Sequence, residues 1–281
     1  MRNLVDKRVV VTGAASGIGR ALALLCARKG ARLALADVDL QGLEETRRLL
    51  GEAGSKSRIY TVDVAHRERV QTFAEEVRRD LGEADVLINN AGVSSSGRVA
   101  ELRYETLDWT LGVNFWGVVH GTKAFLPQLS SRPEASLVNI SSVYGLLGVP
   151  GQAAYCASKF AVRGFTEALR HELHGTPVSV TLVYPGGVRT NIVRNSRSDF
   201  GLDREILEQG LREFELQLAT SPERAAARIV DGVLAKRAHV LIGTDAWVID
   251  RLARWFPGIY DWLVRRHLDR SPLWRNLTPC K

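Results

Sequence analysis

A chain of 281 residues with 45% hydrophobic content is long enough for one large α/β domain or two small ones, with a substantial buried core. A formal charge of +7 permits attraction to phosphates, but the arginines are dispersed, and no zinc-finger spacing, RRM-type aromatic motif or long basic tract points to nucleic acid. No apolar run reaches the roughly 18 residues that span a bilayer, and the N-terminus lacks a signal-peptide pattern, so a soluble, cytoplasmic protein is expected. The three cysteines, Cys26, Cys156 and Cys280, lack paired spacing, which fits a reducing compartment. The six histidines form no ligand motif, and no metal is expected.

The β-branched run at 8–12 predicts a strand that leads into GAASGIG at 13–19 and then an apolar helix. Strand, glycine turn and helix together form the context of a dinucleotide site: glycines let the backbone approach a pyrophosphate, and the helix N-terminus offers free N–H groups. A second strand, 31–36, ends at Asp37, eighteen residues after Gly19. A carboxylate there can bind ribose hydroxyls and repel a 2′-phosphate, and with no Arg or Lys beside it in sequence NAD is favoured over NADP. Asp37 could instead be a turn residue or helix cap, although Asp39 is the better cap.

The pattern continues with a helix at 40–50, a loop at 51–56, a strand at 57–64, a helix at 66–81 and a strand at 84–89 running into Asn90-Ala91-Gly92. Strands alternating with helices predict βαβ units and a parallel sheet, with ligands beyond the strands' carboxyl ends, where Gly13, Asp37, Asp63 and Asn89 fall. A long helix, 104–126, is expected to stop before Pro127 and carries Asn114.

The strand at 136–140 is followed by Ser142, a Gly/Pro loop, and a helix on which Tyr155 and Lys159 share one face. A phenol has a pKa near about 10, and a neighbouring ammonium favours its phenolate, so Tyr155 and Lys159 are a candidate acid/base pair with Ser142 holding the substrate oxygen. A last pair of strands, 178–184 and 240–243, brackets Pro185-Gly186-Gly187 and Val188-Arg189-Thr190.

Five motifs in this order, TGAASGIG at 12–19, NNAG at 89–92, Asn114, Ser142 with YCASK at 155–159, and PGGVRT at 185–190, resemble the short-chain dehydrogenase/reductase family over residues 6–243. The resemblance implies a tetrad: Tyr155 as general acid/base, Lys159 lowering its pKa, Ser142 polarising the carbonyl or alcohol, and Asn114 holding a water. It also implies that Gly13, Ser16, Ile18 and Gly19 line the pyrophosphate, Asp37 the adenosine ribose, Asp63 and Val64 the adenine, Asn90 the nicotinamide side, and Val188 and Thr190 the carboxamide. Gly17, Ala91, Gly92, Pro185 and Gly186 complete that cofactor site.

The expectation is a single doubly wound α/β domain of Rossmann type, 1–243, with a parallel sheet of about seven strands. Its activity would be NAD(H)-dependent interconversion of a secondary alcohol and a ketone. The alternatives are an NADP(H)-dependent carbonyl reductase and a non-catalytic dinucleotide-binding scaffold. Segment 191–217, with Ile206, Leu207, Leu211 and Phe214, would close over a lipophilic substrate such as a steroid or retinoid, or would simply pack on the sheet. A homo-oligomer, dimer or tetramer, is expected. Residues 244–281 form a helical, aromatic-rich extension with a stripe at 248, 252, 255, 259 and 263, a break at Pro257, and further aromatic and basic residues up to Arg270 and Trp274. It could pack on the core or a sister subunit, cap the pocket, or touch a membrane surface.

Overall fold

The computed structural model describes residues 1–201, 208, 209, 212 and 218–268. In chain order its elements are β1 (Arg8–Thr12), α1 (Gly17–Arg28), β2 (Arg32–Asp37), α2 (Leu40–Leu49), β3 (Arg58–Thr61), α3 (Arg67–Leu81), β4 (Val86–Asn89) and β5 (Ser95–Ser96). They continue as α4 (Tyr104–Leu111), α5 (Gly117–Ser130), β6 (Ala135–Ile140), α6 (Ala153–Glu172), β7 (Val178–Pro185) and β8 (Arg197–Ser198). Last come α7 (Pro222–Leu234), β9 (His239–Ile242), α8 (Thr244–Trp255) and α9 (Pro257–Leu268).

Seven strands form one parallel sheet in the order β3-β2-β1-β4-β6-β7-β9, while β5 and β8 pair separately. The expected doubly wound α/β architecture is therefore present, with its switch point between β1 and β4. Burial explains why these runs become strands. Val9 and Val11, Leu33 and Leu35, and Val86 and Ile88 pack into the layer that contains α1 and α7, whereas Val10, Ala34 and Leu87 pack into the layer that contains α3 and α5. Alternate side chains enter opposite cores, so both faces must be apolar and the strands read as continuous hydrophobic runs.

Several boundaries differ from the sequence pattern. The third strand stops at Thr61, because Asp63 turns the chain by accepting from the Ala65 N–H at 2.9 Å. A 3-10 turn, Gly51–Lys56, replaces the expected loop. The long helix passes through Pro127 to Ser130, its last turn held by the buried Gln128, which donates to the Ala74 carbonyl at 2.8 Å and accepts from the Ala84 N–H at 3.1 Å. The same helix carries a π segment, Gly112–Trp116, around Asn114. No element was assigned to 218–239, where α7 forms behind a Ser221 N-cap and Pro222, a standard start signature.

Asn89 does not face the ligand edge as expected. Its Nδ2 donates to Asn139 Oδ1 at 2.9 Å, and Asn139 Nδ2 donates to Thr166 Oγ1 at 2.9 Å, so a buried polar bridge runs from β4 through β6 to α6. Replacing Asn139 with Ala leaves both neighbours without that partner. The variant is expected to lose about 2–4 kcal/mol, read as a lower urea midpoint at unchanged m; a loss within about 0.5 kcal/mol would remove the bridge from the structural account.

Candidate active site

The glycine turn is built so tightly that side chains are excluded. Gly13 adopts φ +68°, and a Cβ there would lie 2.8 Å from the Ala91 Cα; a Cβ on Gly19 would lie 1.9 Å from the Gly13 carbonyl oxygen. Ser16 is exposed at the N-cap of α1 and makes no cap bond, and the first turn contains no acid. The N–H groups there are left for an anion, which is the fit a dinucleotide pyrophosphate requires. Gly17, at φ +52°, and Ile18 sit in the same first turn, with the Thr190 methyl 3.1 Å from where a Gly17 Cβ would be.

Asn90 braces this turn. Its Nδ2 donates to the Thr12 and Gly13 carbonyls at 2.9 and 3.2 Å, and Thr12 Oγ1 accepts from the Asn90 and Ala91 N–H groups. Its amide therefore shapes the glycine turn. Asp37 ends β2 and accepts from the Ala15 and Asp39 N–H groups at 2.9 and 3.1 Å, while Asp39 is the α2 cap. One arginine stands directly after the glycine turn. Arg20 lies beneath the turn, but its guanidinium is spent on the Ala15 and Gly42 carbonyls and on Thr46 Oγ1. Asp63 and the buried Val64 follow β3 at the same sheet edge.

Ser142 and the Tyr155–Lys159 face meet two residues past β6. Ser142 acts on the Tyr155 phenol in the direction that favours its ionised form, and caps the Val143–Gly145 turn by accepting from the Tyr144 N–H at 3.2 Å. Lys159 is buried, donates to the Ile140 carbonyl at 3.2 Å, and lies over the Tyr155 ring with Nζ 5.6 Å from its centroid. The Tyr144 ring packs edge-on against Tyr155 at 6.0 Å.

The electrostatics run against the expectation that Lys159 acidifies the phenol. Burial pushes Tyr155 up to about 12, with Ser142 opposing it, and burial pulls Lys159 down to about 8. Loss of water disfavours both charged forms. As it stands, the pair is a phenol ready to donate a proton beside a lysine that holds its own weakly.

Asn114 projects from the π segment and is fully saturated as a donor. Nδ2 donates to the Val93 carbonyl at 2.9 Å and Ser158 Oγ at 3.0 Å, and Oδ1 accepts from the Val93 N–H at 2.8 Å. The remaining lone pair of Oδ1 and the Lys159 ammonium flank Gly92, whose missing Cβ would lie 3.3 and 3.5 Å from them. Asn114 thus ties the 92–93 segment to α6, beside the lysine.

Pro185 closes β7, and Gly186, Val188 and Thr190 follow it at the sheet edge, where the Thr220 carbonyl accepts from the Arg189 N–H at 2.9 Å. The sequence pattern missed Asp245. This residue of α8 accepts from the Gly187 N–H at 2.6 Å, and a Cβ on Gly186 would lie 2.1 Å from its Oδ2. Only its place in the first turn of a helix after Gly243 hinted at an anchoring role. Also missed was a latch on the start of the 191–217 segment: β8 pairs with β5, Arg103 pairs with Asp199 at 2.9 Å, and the Arg197 guanidinium lies 3.9 Å from the Trp109 ring centroid. Ile206, Leu207, Leu211 and Phe214 lie outside the described residues, as do Arg270 and Trp274. Among the described residues no cluster of three or more His, Cys, Asp or Glu could hold a metal.

A parallel sheet with a glycine cradle at its switch point and a serine, tyrosine and lysine at the next strand end is a dinucleotide-dependent oxidoreductase site. The family model described as short chain dehydrogenase matches residues 7–200, and the chain belongs to that family. A Mycobacterium tuberculosis protein named as the oxidoreductase SadH is 45% identical over 267 residues, covering 94% of this chain and 96% of that protein. Epidermal retinol dehydrogenase 2 of Mus musculus is 34% identical over 243 residues, covering 85% of this chain and 74% of that one. A short-chain dehydrogenase/reductase from Burkholderia phymatum, crystallised with NAD, superposes with a TM-score of 0.84 at 30% identity, over the whole of both chains. The chain is accordingly an oxidoreductase acting on CH–OH donors with a nicotinamide dinucleotide.

Asp245→Ala removes the acceptor that fixes the Gly187 amide. It is expected to weaken NADH binding about tenfold, since a hydrogen bond to a charged group contributes about 1.5–3 kcal/mol. Fluorescence titration checks this, and an unchanged dissociation constant would show that the loop holds its shape without Asp245.

Proposed function

We propose that this oxidoreductase uses NAD(H) and interconverts a lipophilic secondary alcohol, of steroid, retinoid or lipid-derived type, with its ketone. The observation that carries the chemistry is the Tyr155 phenol with Lys159 over its ring and Ser142 beside it past the end of β6, at the same sheet edge as the glycine cradle. Bound in that cradle, a nicotinamide dinucleotide supplies the hydride acceptor or donor. Tyr155 then handles the proton: its hydroxyl gives one to the carbonyl oxygen in reduction, and its phenolate takes one from the alcohol in oxidation. Ser142 holds the substrate oxygen against it. Asn114 and Ser158 keep α6 and the 92–93 segment together, so the distance between phenol and cradle stays fixed.

Asp37 supports NAD over NADP, because a carboxylate at that position repels a second phosphate and Arg20 is already committed elsewhere. The NAD named in the Burkholderia structure favours the same choice. The retinol dehydrogenase relative favours a lipophilic substrate. Exposed Tyr104, Trp116 and Phe160 on α4, the π segment and α6 favour association of copies as a homo-oligomer.

Tyr155→Phe is expected to lower kcat by at least about a hundredfold while leaving the NADH dissociation constant within about twofold, the separation expected of a group that acts only on the proton. For the wild type, kcat/KM for alcohol oxidation should climb about tenfold per pH unit from pH 7 to 10, because the base form of a phenol with a raised pKa becomes more populated throughout that range. Ketone reduction should not climb. A flat oxidation profile would take the base role away from Tyr155. NADH should bind at least about tenfold more tightly than NADPH, and Asp37→Ser should narrow that ratio; equal affinities in the wild type would defeat the NAD assignment.

A further inference from the structure

Helix α8 turns its alanines inward, and both α8 and α9 expose most of their tryptophans and large aliphatic residues. On α8, Ala246 and Asp250 are buried, and Ile249 and Ala253 pack against the Leu182 and Tyr184 cluster. Trp247, Val248 and Trp255 stand on the opposite side with Arg251, and Trp255 is 69% exposed. Of the expected stripe at 248, 252, 255, 259 and 263, Val248, Trp255, Ile259 and Leu263 face outward and Leu252 is half-buried, because alanines permit a close approach to the core that tryptophans would block. The break between the helices falls at Phe256, also exposed, and Pro257 opens α9. On α9, Ile259, Trp262 and Leu263 face outward with Arg266, at the i, i+3, i+4 and i+7 spacing of a single helix face, and Trp262 is 56% exposed.

Each helix repeats one device. Arg251 lies over Trp247 with 5.5 Å between guanidinium carbon and ring centroid, and Arg266 lies over Trp262 at 5.4 Å. The acids of α8 are turned away from this face: Asp250 is buried and paired with Arg254 at 2.7 Å, and Asp245 is bonded to Gly187. The outward face of α8 and α9 is thus aromatic and cationic. Indole rings settle at the depth of lipid headgroups, and a guanidinium stacked on one reaches the phosphates above it.

We propose that α8 and α9 seat this protein on a bilayer surface containing anionic lipids, lying in the interface without crossing it. Among the described residues no helix is long and apolar enough to span a membrane. The Tyr260 hydroxyl of α9 donates to the Gly148 carbonyl at 2.9 Å and accepts from the Gly148 N–H at 3.2 Å, in the loop between Ser142 and Tyr155. The docking face is therefore tied to the loop that connects Ser142 with Tyr155.

Sedimentation of the full chain with vesicles tests the proposal without substrate or dinucleotide, so its failure is separable from failure of the oxidoreductase reading. Vesicles of phosphatidylcholine with phosphatidylglycerol should carry the protein down at least about tenfold better than phosphatidylcholine alone, and added salt should reduce the difference. The double variant Trp255→Ser with Trp262→Ser should lose vesicle binding and keep wild-type turnover of a small water-soluble secondary alcohol. Should that variant fail to fold, Arg251→Gln with Arg266→Gln should still weaken binding to the anionic vesicles about tenfold. The proposal falls if the wild type ignores anionic vesicles, if it binds neutral ones equally, or if the variants bind unchanged. It also falls if velocity sedimentation shows the tryptophan variant splitting a larger assembly with no vesicle binding, which would make the face a contact between copies.

Discussion

Three buried hydrogen bonds fix the register of α6 against the end of β6, and the active site depends on that register. Asn139 donates to Thr166, Ser141 Oγ donates to the Lys159 carbonyl at 2.9 Å, and Lys159 Nζ donates to the Ile140 carbonyl. Gly145 belongs to the same fit, since a Cβ there would lie 2.4 Å from Ser141 Oγ and 2.8 Å from the Lys159 carbonyl oxygen. Tyr155 lies one helical turn before Lys159, so a slip of α6 by one residue would rotate the phenol about 100° away from Ser142. Apolar packing alone is tolerant of small slips, whereas unpaired buried polar groups are not. The polar bonds therefore supply the specificity and the surrounding valines and leucines the bulk of the stability.

The same burial that sets this register sets the protonation states. Placing a lysine and a tyrosine together beneath a strand end costs both of them their hydration, and each moves toward its neutral form. At neutral pH the phenol therefore keeps its proton. On the proposed role of Tyr155, a carbonyl substrate would meet a donor that already holds its proton, while an alcohol substrate would wait for a deprotonated fraction, so the two directions would respond differently to pH.

The sheet was legible because its central strands are buried on two faces, which writes an uninterrupted β-branched or leucine run into the sequence. The glycine turn and the Ser142, Tyr155 and Lys159 set were legible because their chemistry demands fixed residue types at local spacing. What escaped the sequence is what depends on neighbours distant in the chain. Asn89 reads as a strand-end residue and is a buried bridge because Asn139 happens to face it; Arg20 follows the turn directly, and only the folding of α2 against α1 brings Gly42 and Thr46 within reach of its guanidinium. The direction of the Tyr155 shift could not be read, since loss of water is a property of the packed site and the lysine charge is a property of the sequence. The tail misled in a different way: its strongest apolar stripe is the exposed one, and hydrophobic periodicity marks an amphipathic face without saying what lies against it.

The C-terminal helices touch the site at two places, Asp245 on the cofactor loop and Tyr260 on the substrate-side loop. How much these contacts can do follows from their size. A bond to a charged acceptor and a pair of bonds from one phenol together contribute on the order of 2–4 kcal/mol before ordering costs are subtracted. Driving a two-state loop from almost wholly open to almost wholly closed takes about 5.5 kcal/mol of differential binding. The helices can therefore bias the two loops by one or two orders of magnitude but cannot throw them as a switch. Contact with another surface at α8 and α9 would be felt at the phenol as a graded change in loop population, while the proton chemistry stays with α6 and β6.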